Sequence, residues 1–115
     1  MEITCKNIIL ADNVKICDDI FSRTRGLRFS RRLKMGDGLI LVANGENTFE
    51  TTIDMLFVFS TIDILWLNSN KEVVDMRRNV RPFTPFITPK KPAKYVIELP
   101  KSSTLNVKIG DAISF

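Results

Sequence analysis

The chain contains no histidine. That absence removes the commonest general base, the commonest metal ligand and the side chain that changes charge near neutral pH. Cysteine is scarce as well: Cys5 and Cys17 are the only two, and their spacing matches neither a CxxC redox pair nor a zinc knuckle. Two reduced, buried thiols are the expected state, with a Cys5–Cys17 disulfide as the alternative if the source is a hyperthermophile. No apolar run approaches the ~20 residues that a helix needs to span a bilayer. The longest, Leu56 to Leu67, is broken by Asp63. The amino terminus, MEITCKNIIL, lacks the basic-then-apolar order of a secretory signal. The expectation is a cytoplasmic protein without membrane contact.

Glycine and proline occur five times each in 115 residues, too few for a collagen-like or low-complexity chain. One continuous core is what this length can bury, so residues 1–115 are read as a single domain. Strand signals dominate. Ile3 to Leu10 and Val14 to Ile16 flank Asp12-Asn13, which reads as an opening hairpin. Gly38 to Ala43 and Glu46 to Thr51 flank Asn44-Gly45, the strongest two-residue hairpin signal. Met55 to Phe59, Ile62 to Leu67, Glu72 to Met76, Tyr95 to Leu99 and Ala112 to Phe115 follow as strands, with 68–71 as a polar hairpin loop. Ile64-Leu65-Trp66-Leu67 is apolar on both alternating faces and must be covered on both sides.

Helical material is limited to a short helix capped by Asp18 or Asp19 and ended by Gly26, and a helical turn after Pro100. Four of the five prolines fall between Pro82 and Pro92, predicting an extended loop or broken edge there. The fold class is therefore mostly β: a compact single-domain β-barrel or β-sandwich with one or two short helices.

The net charge of +4 conceals a segregation. Ile20 to Gly36 holds Arg23, Arg25, Arg28, Arg31, Arg32 and Lys34 and no acid; Met76 to Ile97 holds Arg77, Arg78, Arg81, Lys90, Lys91 and Lys94, again with no acid. These blocks carry twelve of the seventeen basic residues, leaving the rest of the chain net acidic. Arginine suits phosphate and carboxylate because its planar fork donates two parallel hydrogen bonds. Phe21, Phe29, Phe83, Phe86 and Tyr95 are interleaved with these bases, a composition that can stack bases as well as hold phosphates. The plainer reading is a solvated basic face with core phenylalanines.

Specific catalytic patterns are missing. Glu46, Glu50, Asp54 and Asp63 share one stretch, but no spacing among them matches a known cation loop. Gly36-Asp37-Gly38 lacks the GK[ST] of a phosphate loop and reads as a turn, as does Gly110-Asp111. Ser102-Ser103 has no histidine to activate it. Trp66 is read as core.

Several segments in order also resemble a known family. They are Arg25-Gly26-Leu27, Gly38-Leu39-Ile40-Leu41-Val42, Ile62 to Leu67, Pro92 to Leu99 and Ile109-Gly110-Asp111. In this spacing, from about Asp18 to Phe115, they resemble the proteins called domain of unknown function 192. The resemblance implies a compact β-barrel or sandwich and no established activity. Where family members often show a histidine and a methionine, this chain has Asp54 and Val58, and Lys101 or Ser102 stands where a glycine is usual.

Together these readings give a non-enzymatic binding domain without metal or cofactor. Arg23, Arg25, Arg28, Arg31, Arg32, Arg77, Arg78 and Arg81 would meet an anionic partner, nucleic acid or a phosphorylated or acidic ligand. The alternatives are a small-molecule or catalytic barrel using Asp54 or Asp63, and a structural interaction module.

Overall fold

The structure, a computed structural model, describes residues 1–18 and 33–115. Six strands, β1 (Ile3–Cys5), β2 (Ile8–Cys17), β3 (Gly36–Asn47), β4 (Ile62–Leu67), β5 (Val73–Val80) and β6 (Ala93–Pro100), form one sheet in the order β1-β2-β3-β6-β4-β5. The sheet curls into a half-barrel. All neighbours are antiparallel except β2 and β3. A parallel pair requires a long crossover, and residues 18–35 connect these two strands. The helix expected from Asp18 or Asp19 to Arg25 falls on that connection, outside the described residues apart from Asp18. Among the described residues there is no helix, and none long and apolar enough to cross a membrane.

The strongest strand reading holds residue for residue: Ile62 to Leu67 is β4, buried along its whole length. Its side chains alternate between two cores. Ile62, Ile64 and Trp66 join one cluster with Leu39, Val96, Met55, Val58 and Ile87, while Leu65 and Leu67 join another with Ile3, Ile40, Ile97, Val107 and Ile113. The first face is roofed by the irregular segments 48–61 and 81–92. The second is filled by the opening strands and the carboxyl-terminal segment. Cys5 and Cys17 are buried in different clusters and are not bonded to each other, which decides against the disulfide.

Several local expectations are corrected. The opening turn is at Lys6-Asn7, not Asp12-Asn13: both Lys6 (φ 52°) and Asn7 (φ 64°) are left-handed, as a two-residue type I′ hairpin between Cys5 and Ile8 demands. Asp12-Asn13 lies inside β2, where the pairing with β3 shifts register. Asn44-Gly45 makes no hairpin either. β3 runs through it, and its pairing with β6 jumps from Val42–Tyr95 to Asn47–Ala93, so the extra residues bulge out of the ladder. Met55 to Phe59 is not a strand: Ile53 forms a single bridge to Ile87 and the chain turns at Leu56-Phe57. After Pro100 the chain makes successive hydrogen-bonded turns, Ser103 to Pro100 and Val107 to Thr104, rather than a helix.

The last predicted strand is reduced to two bridges with a larger role. Ser114 pairs with Thr4 of β1, and Ala112 pairs with Glu72 just ahead of β5. β1 and β5 are the two edges of the sheet, so the carboxyl-terminal segment joins them and closes one end of the half-barrel. Ser114 both donates to and accepts from Thr4, at 2.8 and 2.9 Å. Ser114→Pro removes the donor without touching the core, and is expected to cost about 1–3 kcal/mol in urea denaturation. Ser114→Ala, at the same exposed position, should change stability by less than about 0.5 kcal/mol.

Candidate functional site

Of the eight arginines singled out, Arg23, Arg25, Arg28, Arg31 and Arg32 lie outside the described residues. The other three have different fates. Arg78 is committed to the fold. Its Nε donates to Thr104 Oγ1 at 3.2 Å, and its Nη2 donates to the carbonyls of Thr104 and Val107, both at 2.9 Å. Arg77 projects from the opposite face of β5 and is exposed, as is Arg81 just beyond the strand.

Asp75 and Arg77 share that face, and Asp75 Oδ2 accepts the backbone N–H of Lys90 at 2.9 Å. This bond fastens the 81–92 loop to the β5 edge. Arg77, Arg81, Lys90 and Lys91 thereby line one border of the molecule, and none of them is ion-paired among the described residues. Phe83 and Phe86 lie on the same loop. Phe83 is edge-on to Phe57 and Phe59, with ring centroids 6.0 and 5.5 Å away, while Phe86 is 80% exposed. Tyr95 belongs elsewhere, packed edge-on to Phe115 at 5.2 Å in the second core. Phe21 and Phe29 lie outside the described residues.

The carboxylates sort by the donors they receive. Glu46 accepts the amide of Ser69 across a loop, and Glu50 accepts those of Asn44 and of the Asn47 side chain. Asp63, an alternative catalytic residue by sequence, is fully buried and occupied. Oδ1 accepts the Asn79 amide at 3.0 Å, and Oδ2 accepts the Thr104 amide at 3.2 Å and its hydroxyl at 2.8 Å. Asp54 is half-buried and its Oδ1 accepts the Leu56 amide at 3.1 Å.

Glu98, which in the sequence is simply one residue of an expected strand, is the exception. It stands on β6 between Leu39 of β3 and Ile64 of β4, on the face roofed by 48–61, and is 4% exposed. Burial in this apolar setting, reinforced by the Asp54 carboxylate, pushes its carboxyl up to about 7. Two residues along the same face, Pro100 borders a cleft of about 350 Å³ that Leu33, Phe59, Ser60, Pro82 and Lys101 help to line. Only alternation within β6 could have flagged Glu98: a carboxylate at a position whose neighbours Val96 and Pro100 face inward.

A carboxyl whose folded value is raised keeps its proton in the native state while the unfolded chain releases it near the ordinary 4.5. Its stabilising contribution is present below about 4.5 and lost as pH rises towards about 7. Glu98→Gln, an uncharged isostere, should therefore gain stability over the parent chain between pH 4.5 and pH 8, by on the order of 3 kcal/mol in paired denaturant titrations.

The sequence and the fold have likenesses among other proteins. The model of the family described as "Uncharacterized ACR", DUF192, matches residues 2–115. A UPF0127 protein from Thermococcus sibiricus is 37% identical over 112 residues, covering 96% of this chain and 70% of the relative. A UPF0127 protein from Pyrococcus furiosus is 36% identical over 104 residues, covering 89% of this chain and 85% of the relative. A crystal structure of a protein of unknown function from Novosphingobium aromaticivorans superposes with a TM-score of 0.81 at 20% identity, covering 89% of this chain and 74% of that one. At that identity the likeness speaks for the fold alone. The match along nearly the whole sequence, with archaeal relatives above a third identical, places this chain in the DUF192 family of uncharacterised proteins.

Proposed function

We propose that this domain binds an anionic partner along the border formed by β5 and the 81–92 loop, and that single-stranded nucleic acid fits it best. The observation that carries the reading is the row of unpaired cations Arg77, Arg81, Lys90 and Lys91, held together by the Asp75 bond to the Lys90 amide. Cations left without partners at one border concentrate positive potential there, and phosphates entering it release counterions. Phe86, almost fully exposed beside these bases, and Phe83, fixed edge-on by two neighbouring rings, supply π-faces on which unpaired bases can stack. A duplex offers no such unstacked bases. Arg78 takes no part in this reading because its donors are engaged in the fold.

Fluorescence anisotropy with a labelled oligouridylate, across a salt series, tests it. Replacing Arg77, Arg81, Lys90 and Lys91 together by Gln should weaken binding and flatten the logarithmic salt dependence by about 0.7 for each phosphate that is no longer neutralised. Phe86→Ala should cost about 1–3 kcal/mol in affinity with the salt slope unchanged. An unchanged salt slope in the quadruple variant, or equal binding to duplex DNA of the same length, would contradict the proposal.

A further inference from the structure

Four neighbouring strands of the sheet, β3, β6, β4 and β5, end together on one side of the molecule. Ile62, the first residue of β4, pairs with both Val80, the last of β5, and Pro100, the last of β6; Leu39 near the start of β3 faces Glu98, two residues before Pro100. The residues just beyond these strand ends share one mouth. Leu33 and Met35 ahead of β3, Ser60 and Thr61 ahead of β4, Pro82 after β5 and Lys101 after β6 line a single cleft of about 350 Å³. Mouths of β-barrels are recurrent places for small ligands, and this volume lies at the lower end of the usual range of about 300–1,000 Å³.

We propose that this cleft binds a small aromatic carboxylate, with the ring against Phe59, Pro82 and Pro100 and the carboxylate on Lys101 and Ser60. The apolar walls are flat and rigid. Phe59 is held edge-on by Phe83, centroids 5.5 Å apart at 76°, and a proline ring has no side-chain rotamers to lose. Walls fixed in advance favour a flat ring, which also brings little conformational freedom to the site. The polar groups are few and of one sign. None of the residues lining the cleft is acidic, and the Lys101 ammonium has no carboxylate partner among the described residues. Ser60 is 8% exposed, and its Oγ accepts the Leu33 amide at 3.0 Å, which leaves the hydroxyl proton to be donated. Because Ile62 pairs with Pro100 at the end of the ladder, Ser60-Thr61 and Lys101 leave adjacent strands side by side, bringing a neutral donor and a cation to the same cleft. The cleft shares no residue with the row of cations on the basic border, and this inference goes beyond the nucleic-acid reading without resting on it.

The test is a titration of the full ¹⁵N-labelled chain at neutral pH with sodium 2-naphthoate and, as its uncharged match, 2-naphthalenemethanol. The amides of Leu33, Ser60, Thr61 and Lys101 should shift together along one saturable curve. The parent chain should prefer the carboxylate to the alcohol by about threefold to fivefold, the range for a single exposed ion pair. Lys101→Gln, at an exposed position, should erase that preference and leave affinity for the alcohol unchanged, which isolates the pairing of Lys101 with the carboxylate. The same variant should bind oligouridylate as the parent does, so that either reading can fail alone. Three results would each overturn the proposal: no saturable shifts at the cleft amides, a carboxylate preference that survives in Lys101→Gln, or binding of sodium octanoate as tight as that of 2-naphthoate.

Discussion

A strand buried on both faces can carry a carboxyl group only if the fold supplies that group with partners, and Asp63, the second residue of β4, sets this condition for the whole domain. It is met by two elements far away in sequence: the β5 bulge at Asn79 and the turn at Thr104. Asn79 takes a left-handed φ of 55°, a conformation that asparagine tolerates, and thereby turns its amide towards Asp63. Thr104 gives both its amide and its hydroxyl, and Arg78 then closes over the same turn. Removing one of these donors typically costs about 1–3 kcal/mol, because a buried acceptor is left unsatisfied. The turn at Thr104 leads directly into Val107 and Ile113, so the same carboxylate helps fix the segment that ties the two sheet edges together.

The two faces of the sheet consequently carry different duties. The face holding Asp63 is closed by regular strands and the carboxyl terminus, and both oxygens of Asp63 are engaged. The opposite face is roofed by irregular segments joined through few bonds, such as the bridge of Ile53 to Ile87 and the Met55 amide to Thr84. Irregular segments on a rigid sheet are where binding residues concentrate. Arg77, the 81–92 loop and Glu98 all lie on this side, and Trp66, whose indole donates to the Thr51 carbonyl at 2.7 Å, pins the roof to β4.

Much of the architecture is legible in the residues. Ile62 to Leu67 announces a two-sided strand because no position in it but Asp63 is polar, and the prolines from Pro82 to Pro92 forbid a regular ladder. Asn44-Gly45 misleads because its turn preference is local, while the surrounding apolar residues of β3 gain more by continuing beside β6; Gly45 accordingly needs no positive φ. Lys6-Asn7 is hidden for the converse reason: lysine is an unusual occupant of a left-handed turn position. The candidate sites are harder to read. Asp63 and Glu98 look alike as single acids within apolar strands, and only tertiary neighbours distinguish a saturated carboxylate from an unpartnered one. Charge order along the chain marks the basic blocks, but cannot show that Arg78 is consumed by a turn while Arg77, its neighbour, points to solvent.

The dependence of the fold on Asp63 is tested most directly by native-state hydrogen exchange at its two backbone donors, the amides of Asn79 and Thr104. If the carboxylate organises the domain, both amides open only with the whole structure, sharing the opening free energy and denaturant dependence of Leu65 and Ile97 in the central strands. Rapid exchange at either amide, insensitive to denaturant while the central strands stay protected, would show that these bonds form on a fold already complete without them.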